Sequence, residues 1–440
     1  MNKSSTWGVI AYTVLIALLW TASPRPAHAF DDDHLETING TRLHFRVRGT
    51  DKAHPYLLLL HGGPGFSSAM FYPWGPRLEN RVNVVYLDQR GSGPSARLHF
   101  SNLHVPTLFE AELFMVSQQI ADIEGVRRAL HIDKWYVLGH SWGGMLGLEY
   151  VSAHPEHARG YVLVDGLVSV PAMTQNILDN AQAKFTQGKQ TNQPGMGALL
   201  AQTAHLRALP QDNPERLLGA FSLALGPAGL YFAHDQAQAF VALDARITEA
   251  VRPYGISRAD RTPVQEPTQA LMVADHFLTR DDTPLLAKIS TPTLIIQGQQ
   301  DGVVSPQSAN LAHQAIKNSQ LVLLDQCGQF PFAEQPDKSA GAVLAFVSKT
   351  SRSADAHVMP SIPQMPTNVD LSDIARPCVV SFVVTADGQI TSTAIKQLSG
   401  SKEFDQACLA AIKNAQGVPA VQNGAPHSAR CESTFRTDRG

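Results

Sequence analysis

The stretch that most constrains the fold is WYVLGHSWGGMLGLEYV, in which an apolar run leads through residues 139–144 into a helical pattern. Those residues, GHSWGG, fit the pattern G-x-S-x-G. The glycines allow a sharp turn from strand to helix, which lifts the Ser141 hydroxyl clear of the sheet and points the Trp142 N–H at the same spot. A Gly-Ser turn can also arise by chance, but the position between strand and helix favours a nucleophile. We therefore predict Ser141 as a catalytic nucleophile.

The sequence around this turn predicts an α/β domain with a lid over residues 30–350. Short apolar runs such as YLLLL, VNVVYL and GYVLV alternate with helical patterns, which is typical of a parallel sheet covered on both faces. From about residue 170 to 285 strand-like runs vanish and helical stretches dominate, before TLIIQG and QLVLL return as buried strands. We interpret this helical block as a lid, because inserted helices commonly cover a site at the carboxyl ends of the strands.

Two further segments supply groups that a serine nucleophile needs. HGGPG follows the first buried strand, and we predict that the Gly63 N–H joins the Trp142 N–H as an oxyanion hole. A phosphate-binding glycine loop is the alternative, which the proline and the lack of a following lysine disfavour. Asp301 ends TLIIQGQQD, where a carboxylate would orient a histidine, although an aspartate before Gly302 also suits a plain turn.

Together HGGPG, DQRGSGPS, GHSWGGMLGLEYVSAHPE and CGQFPFAEQP resemble the prolyl aminopeptidase (proline iminopeptidase) family of α/β-hydrolases, over roughly residues 35–350. The resemblance implies a hydrolase fold with a helical cap, cleavage of an N-terminal residue from small peptides, and no metal or other cofactor. It assigns the nucleophile to Ser141 and the acid to Asp301. It also places Gln329 where family members carry the catalytic histidine. A glutamine amide cannot take up and release a proton near neutral pH.

Two hypotheses follow from that substitution. The first is a serine hydrolase, of peptides or esters, with an altered proton relay, for which His276 at the end of the lid is the candidate substitute base. The second is a pseudohydrolase that keeps the pocket and binds a peptide or a cell-envelope partner. The resemblance also implies that acidic lid residues hold the substrate's amino group, and Glu215, Glu249, Glu266 and Asp275 are available, but no motif selects among them.

The first 29 residues predict export. Lys3 precedes an apolar run, and Ala27-His28-Ala29 is a small-x-small site, the layout of a cleaved secretory signal peptide. We predict a periplasmic protein; the alternative is an uncleaved inner-membrane anchor, because the uncharged stretch approaches spanning length.

A linker rich in Ser and Pro is predicted at residues 351–370, followed by a small α+β domain at 371–440. There FVVTADGQITSTAIKQLSG reads as a hairpin, and the segment resembles the C-terminal domains of TonB and TolA-like envelope proteins, which implies a partner bound by strand addition. A folding module without a partner is the alternative. Three of the four cysteines lie here, and we favour a Cys378–Cys431 disulfide, although sequence cannot fix the connectivity.

The composition excludes some functions. At 440 residues the chain is too long for one typical domain, and its net charge of -3 gives no basic field for nucleic acid. No Cys/His spacing resembles a zinc site, so no metal is predicted.

Overall fold

The structure is a computed structural model. It describes residues 30–95, 106–353, 357–359, 377–385, 387–413, 416–418, 420–422, 425–427 and 429–435. The chain divides into two compact units after Ala340. The predicted signal peptide and the predicted linker lie outside the described residues, apart from 351–353 and 357–359, so the domain boundaries stay predictions. No helix in the described ranges is long and apolar enough to cross a bilayer.

The first unit is built on an eight-stranded sheet in the order β1-β2-β4-β3-β5-β6-β7-β8. Neighbouring strands from β4 onward are parallel, while β1 and β2 add an antiparallel edge. The parallel strands therefore end at one edge of the sheet, where the predicted site residues follow them. The strands are Phe30–Ile38 (β1), Thr41–Gly49 (β2), Tyr56–Leu60 (β3), Asn83–Leu87 (β4), Trp135–His140 (β5), Ala158–Val164 (β6), Thr293–Gly298 (β7) and Ser319–Leu324 (β8).

The predicted α/β architecture is confirmed, with two differences in detail. Strand β1 was not predicted, because FDDDHLETI lies on the sheet edge and carries mostly half-buried or exposed polar side chains. The sequence has apolar residues at helical spacing from Ala111 to Leu130, which predicts one helix, but this segment forms two helices, Leu108–Glu112 (α1) and Val116–Ala129 (α2). The second begins at Val116 because the Asp275 carboxylate accepts the Val116 N–H at 3.2 Å and caps the helix there.

The helical insertion between β6 and β7 is also present as predicted. It is tied to the loop after β3 by two hydrogen bonds, from the Val264 N–H to the Gly65 carbonyl (2.9 Å) and from the Thr268 hydroxyl to the Pro64 carbonyl (3.1 Å). The lid therefore rests on the predicted oxyanion loop. The remaining helices of the first unit, in chain order, are Trp142–Ala153 (α3), Val170–Gln190 (α4), Met196–Ala208 (α5), Pro214–Leu225 (α6), Gln236–Val251 (α7), Arg258–Arg261 (α8), Glu266–Ala274 (α9), Thr283–Leu286 (α10), Pro306–Ala315 (α11) and Pro331–Glu334 (α12). Helix Pro336–Ser353 (α13) spans the division between the units.

The second unit contains the predicted hairpin, helix and last strand. Three antiparallel strands lie in the order β11-β10-β15, and a helix packs against them. Its elements are His357–Met359 (β9), Cys378–Val384 (β10), Ile390–Gln397 (β11), Lys402–Lys413 (α14), Gln416–Val418 (β12), Ala420–Gln422 (β13), Ala425–His427 (β14) and Ala429–Phe435 (β15). Alternate residues of β10 meet Phe404, Cys408 and Ile412 of α14 in one buried cluster.

The register of this sheet does not bring the predicted cysteine pair together. Cys378 lies opposite Phe435, whereas Cys431 lies opposite Phe382, four residues along the strand. Four residues of strand span about 13 Å, whereas the Cα atoms of a disulfide are at most about 7 Å apart. Cys378 and Cys408 instead lie in the same buried cluster, and both are fully buried.

We therefore expect oxidation to link Cys378 to Cys408. Peptide mapping of protein refolded in oxidised glutathione should find this cross-link with Cys431 alkylated, because Cys378 and Cys408 lie in one buried cluster whereas the strand register keeps Cys431 away from Cys378. The variant Cys408→Ser should leave Cys378 reduced. A Cys378–Cys431 cross-link in the native fold would contradict the register described here.

Candidate active site

Ser141 lies in the sharp turn that its sequence motif predicts. It joins β5 to α3 with φ 54° and ψ −119°, a conformation that residues other than glycine rarely adopt. A side chain at Gly139 would place its Cβ 2.0 Å from the Gly143 carbonyl oxygen, so the turn requires the motif's glycines. The hydroxyl of half-buried Ser141 makes no hydrogen bond with any residue that the structure describes. The turn therefore presents an oxygen that no neighbour activates.

The loop at residues 61–65 lies directly against this serine. A Cβ built on Gly62 would be 3.2 Å from the Ser141 Cβ. Neither the Gly63 N–H nor the Trp142 N–H donates to an acceptor within the described ranges, and Trp142 begins α3, whose amino end carries partial positive charge. Both amides are therefore available to an incoming oxygen, although their pairing as an oxyanion hole stays a prediction.

Gln329, in the loop after β8, makes its hydrogen bonds with groups other than Ser141. It is 1% exposed. Its side-chain amide donates to the Asp165 carbonyl (3.1 Å) and its side-chain oxygen accepts from the Val304 N–H (3.3 Å). Its own N–H donates to the Tyr231 carbonyl (2.8 Å), and its carbonyl accepts from His140 Nε2 (2.7 Å). Gln329 thus fills the predicted histidine position as a structural residue, with no polar atom bonded to Ser141.

Asp301 lies beside Gln329 but does not bond to it. One carboxylate oxygen accepts from the Val303 N–H (2.8 Å) and the Val304 N–H (3.1 Å), and the other from the Gln297 side chain (3.2 Å). Gln329 and Asp301 therefore share the Val304 N–H, where an intact triad would have a carboxylate holding an imidazole.

A second buried acid, Asp165, neighbours Asp301, and the sequence analysis missed it. It follows β6 with φ 40°, and one of its oxygens accepts the Gly298 N–H at 2.7 Å. Burial, and then the charge of Asp301, raise the pKa of Asp165 well above its usual range, and burial likewise raises the pKa of Asp301. Burial and the repulsion between the two carboxylates therefore favour the protonated form at this pair. The sequence signal for Asp165 was the end of GYVLVDG, where an aspartate directly follows an apolar strand.

Other histidines do not take the missing role in the described contacts. His61 accepts the Gln89 N–H at one ring nitrogen and donates to the Gly62 carbonyl from the other. His140 uses Nε2 on the Gln329 carbonyl, and burial lowers its pKa to about 4. His276 is exposed, and its ring has no hydrogen bond to Ser141 or Asp301 in the described part of the chain. Its assignment as a substitute base therefore gains no support from the contacts.

Two cavities border the site region. One of about 170 Å³ is mainly apolar and is lined on the loop side by Phe66, Ser67 and Met70 and on the other by Phe240 and Phe330. It also includes Asp244, which forms an ion pair with Arg261 in the same wall. The other cavity, of about 450 Å³, is mainly polar and reaches Asp301 from the side of α4.

Three of the four acidic lid residues named from the sequence form ion pairs with other side chains. Glu215 pairs with His205 and Glu249 with Arg252 on the exposed surface. Asp275 pairs with Arg280 at 2.9 Å and caps α2. Glu266 begins α9, and neither cavity wall includes it. Asp244 is an acidic lid residue that lines the smaller of these two cavities, and no sequence motif pointed to it.

The chain matches two protein families. Residues 55–336 match the model of the alpha/beta hydrolase fold, and residues 363–437 match that of the Gram-negative bacterial TonB protein C-terminal.

Individual relatives agree with the first match. The chain is 24% identical over 323 residues to a proline iminopeptidase of Thermoplasma volcanium, covering 72% of this chain and 97% of that protein. It is 24% identical over 371 residues to epoxide hydrolase 4 of Mus musculus, covering 78% and 92%. The crystal structure of a proline iminopeptidase-related protein of Thermus thermophilus superimposes with a TM-score of 0.53 at 20% identity, covering 72% and 98%. At this identity the structural likeness establishes the fold alone.

Proposed function

Because the chain belongs to the α/β-hydrolase family and is of the proline iminopeptidase type, we propose that its site binds a small peptide or ester over Ser141 and hydrolyses it far more slowly than an intact serine triad would. The observation that carries this proposal is the state of Gln329, whose four polar groups are all bound to other groups. The Ser141 hydroxyl makes no hydrogen bond to a proton acceptor among the described residues.

The loss in kcat caused by the missing histidine determines which substrates the site could still hydrolyse. Loss of the histidine of a serine triad costs about 10⁶ in kcat, while binding and the oxyanion hole retain about 10³ to 10⁴ over water. An amide needs both activation of the nucleophile and a proton for its leaving amine, and Gln329 supplies neither. An activated ester has a good leaving group. Slow ester cleavage through Ser141 is therefore the chemistry that the site supports.

We further propose that the protein acts in the periplasm. The signal-peptide pattern of the first 29 residues and the TonB-type match of the C-terminal unit both support a Gram-negative envelope setting. The C-terminal unit would take an envelope protein as its partner by adding a strand to an edge of its sheet.

A second candidate is a pseudohydrolase whose role is binding alone. The observation that favours it is the role of Gln329, whose side chain satisfies the Val304 N–H and the Asp165 carbonyl of two neighbouring loops. Asp165 and Asp301 also have no histidine bonded to them within the described residues, which agrees with that assignment.

Steady-state assays of the purified full chain test the proposal. We expect slow release of p-nitrophenol from acetyl and butyryl esters, no measurable turnover of proline arylamides, and loss of the ester activity in Ser141→Ala. Efficient arylamide cleavage would overturn the proposal in favour of an intact relay. Ester cleavage that survives Ser141→Ala would show that Ser141 is not the nucleophile. No cleavage at all by the folded protein would leave binding alone.

A further inference from the structure

A cluster of imidazoles and carboxylates lies at the end of α3 that is remote from Ser141. The sequence His154-Pro155-Glu156-His157 leaves that helix and makes one turn before β6. Glu124, on α2, lies beside this turn in the fold although it belongs to an earlier helix. The 12 residues of α3 separate this cluster from Ser141 by about 18 Å, so it is distinct from the candidate active site.

The donor atoms are spaced as the ligands of a small cation are. His157 Nδ1 lies 3.1 Å from Glu124 Oε1 and 3.6 Å from Glu156 Oε1, and His154 Nδ1 lies 3.4 Å from that Glu156 oxygen. Bonds of 2.0 to 2.1 Å in a tetrahedron place zinc ligands about 3.4 Å from each other. The two imidazole rings are stacked with centroids 5.7 Å apart and planes within 15°. One donor atom each from Glu124, His154 and His157 lies within 4.8 Å of the others.

Neighbouring side chains fix the orientation of the Glu124 carboxylate. Its carboxylate accepts hydrogen bonds from Arg127 (2.9 Å) and from the Tyr150 hydroxyl (2.6 Å), and Tyr150 is itself held by Trp135 (3.1 Å). Burial alone would raise the pKa of Glu124, but the bonds from Arg127 and Tyr150 outweigh it and lower the pKa to about 2. The carboxylate is therefore charged and fixed in orientation, as the outer-shell partners of metal ligands commonly ensure.

We propose that Glu124, His154, Glu156 and His157 form a binding site for a divalent cation of the zinc class. Two imidazoles and two carboxylates suit Zn²⁺ and its neighbours Ni²⁺ and Cu²⁺, whereas Mg²⁺ and Ca²⁺ prefer oxygen ligands throughout. With neutral imidazoles, two carboxylates and Arg127 leave one net negative charge at the site. A bound cation would tie α2 to the turn that enters β6, which makes its role structural.

The same contacts also suit a simple ion-pair network, in which protonated histidines pair with the two glutamates. The two explanations differ in what happens when metal is added. No Cys/His spacing in the sequence predicts this site, because Glu124 joins the cluster only through the fold.

Titration with ZnCl₂ tests the site in the full chain freed of any histidine tag. We expect one equivalent bound and a rise in the melting temperature. In the double variant His154→Gln/His157→Gln, Zn²⁺ binding should weaken by at least the 10- to 100-fold that loss of an outer-shell partner costs, and the thermal shift should vanish.

His205→Gln is the matched control, because His205 is an exposed histidine that also pairs with one glutamate, Glu215. It should leave Zn²⁺ affinity unchanged, and circular dichroism should show all variants folded. A wild-type Kd weaker than about 1 mM would overturn the proposal. Equal affinity in the double variant would do the same.

Discussion

Replacing Gln329 with histidine is expected to raise kcat/KM for ester hydrolysis by about 10² to 10⁴, the usual contribution of a positioned general base. The position is buried and lies beside Asp301, and the two residues already share the Val304 N–H. An imidazole there could donate a hydrogen bond from one ring nitrogen to Asp301 and accept the Ser141 proton at the other. The measurement is steady-state hydrolysis of p-nitrophenyl esters by wild type and variant.

Gln329→Asn is the matched control, since it also disturbs the Val304 and Asp165 hydrogen bonds but supplies no base. Adding Ser141→Ala to Gln329→His should remove the gain. A folded Gln329→His protein no faster than Gln329→Asn would mean that the missing imidazole is not what limits the site.

Replacing Arg280 with methionine is expected to lower the free energy of unfolding by about 2 to 3 kcal/mol at pH 7, because this ionic network is partly buried and removing one partner of a fully buried pair costs about 3 to 5 kcal/mol. The Arg280 guanidinium joins Glu149 of α3 to Asp275 and Asp282 of the lid, with separations of 2.9 Å to Asp275 and 3.2 Å to Asp282. Without it, three carboxylates face one another in a partly buried space. Urea denaturation followed by tryptophan fluorescence reports on this unit, because Trp74, Trp135 and Trp142 all lie in it.

The effect should depend on pH in a defined direction. Burial raises the pKa of Asp282 to about 6, against the opposing effect of Arg280. Loss of Arg280 raises this pKa further, so the folded variant binds more protons than the unfolded chain, and its stability falls as pH rises. The destabilisation should therefore be smaller at pH 5 than at pH 7. Arg252→Met serves as the control, because its partner Glu249 is exposed and such pairs contribute less than about 1 kcal/mol. Equal losses in the two variants would contradict the account of the lid contacts.

The sequence predicted the parts of the fold that short-range patterns determine. Continuous apolar strands, the glycine turn at Ser141 and the Asp-Gly hairpin each follow from neighbouring residues, and each is present. Strand β1 was missed because an edge strand with one neighbour does not need an apolar face. The Cys378–Cys431 pairing depended on strand register, which a sequence without an alignment does not reveal.

The motifs selected Ser141, Asp301 and Gln329 as candidates because each follows a recognisable strand, and their catalytic roles stay predictions. The direction of the Gln329 side chain and the proximity of Asp165 depend on how different strand ends meet, and they arise only from the folded chain. The same holds for Glu124, which joins His154 and His157 through the packing of α2 on α3.

We propose that Ser141 has no general base, and its rate of reaction with a fluorophosphonate tests this without any choice of substrate. Intact-mass measurement over time would follow labelling of wild type, Gln329→His and Ser141→Ala under identical conditions. The account predicts slow labelling of wild type, labelling of Gln329→His faster by about 10² or more, and none of Ser141→Ala. Wild-type labelling as fast as that of Gln329→His would show that another group already activates Ser141, and would contradict the claim.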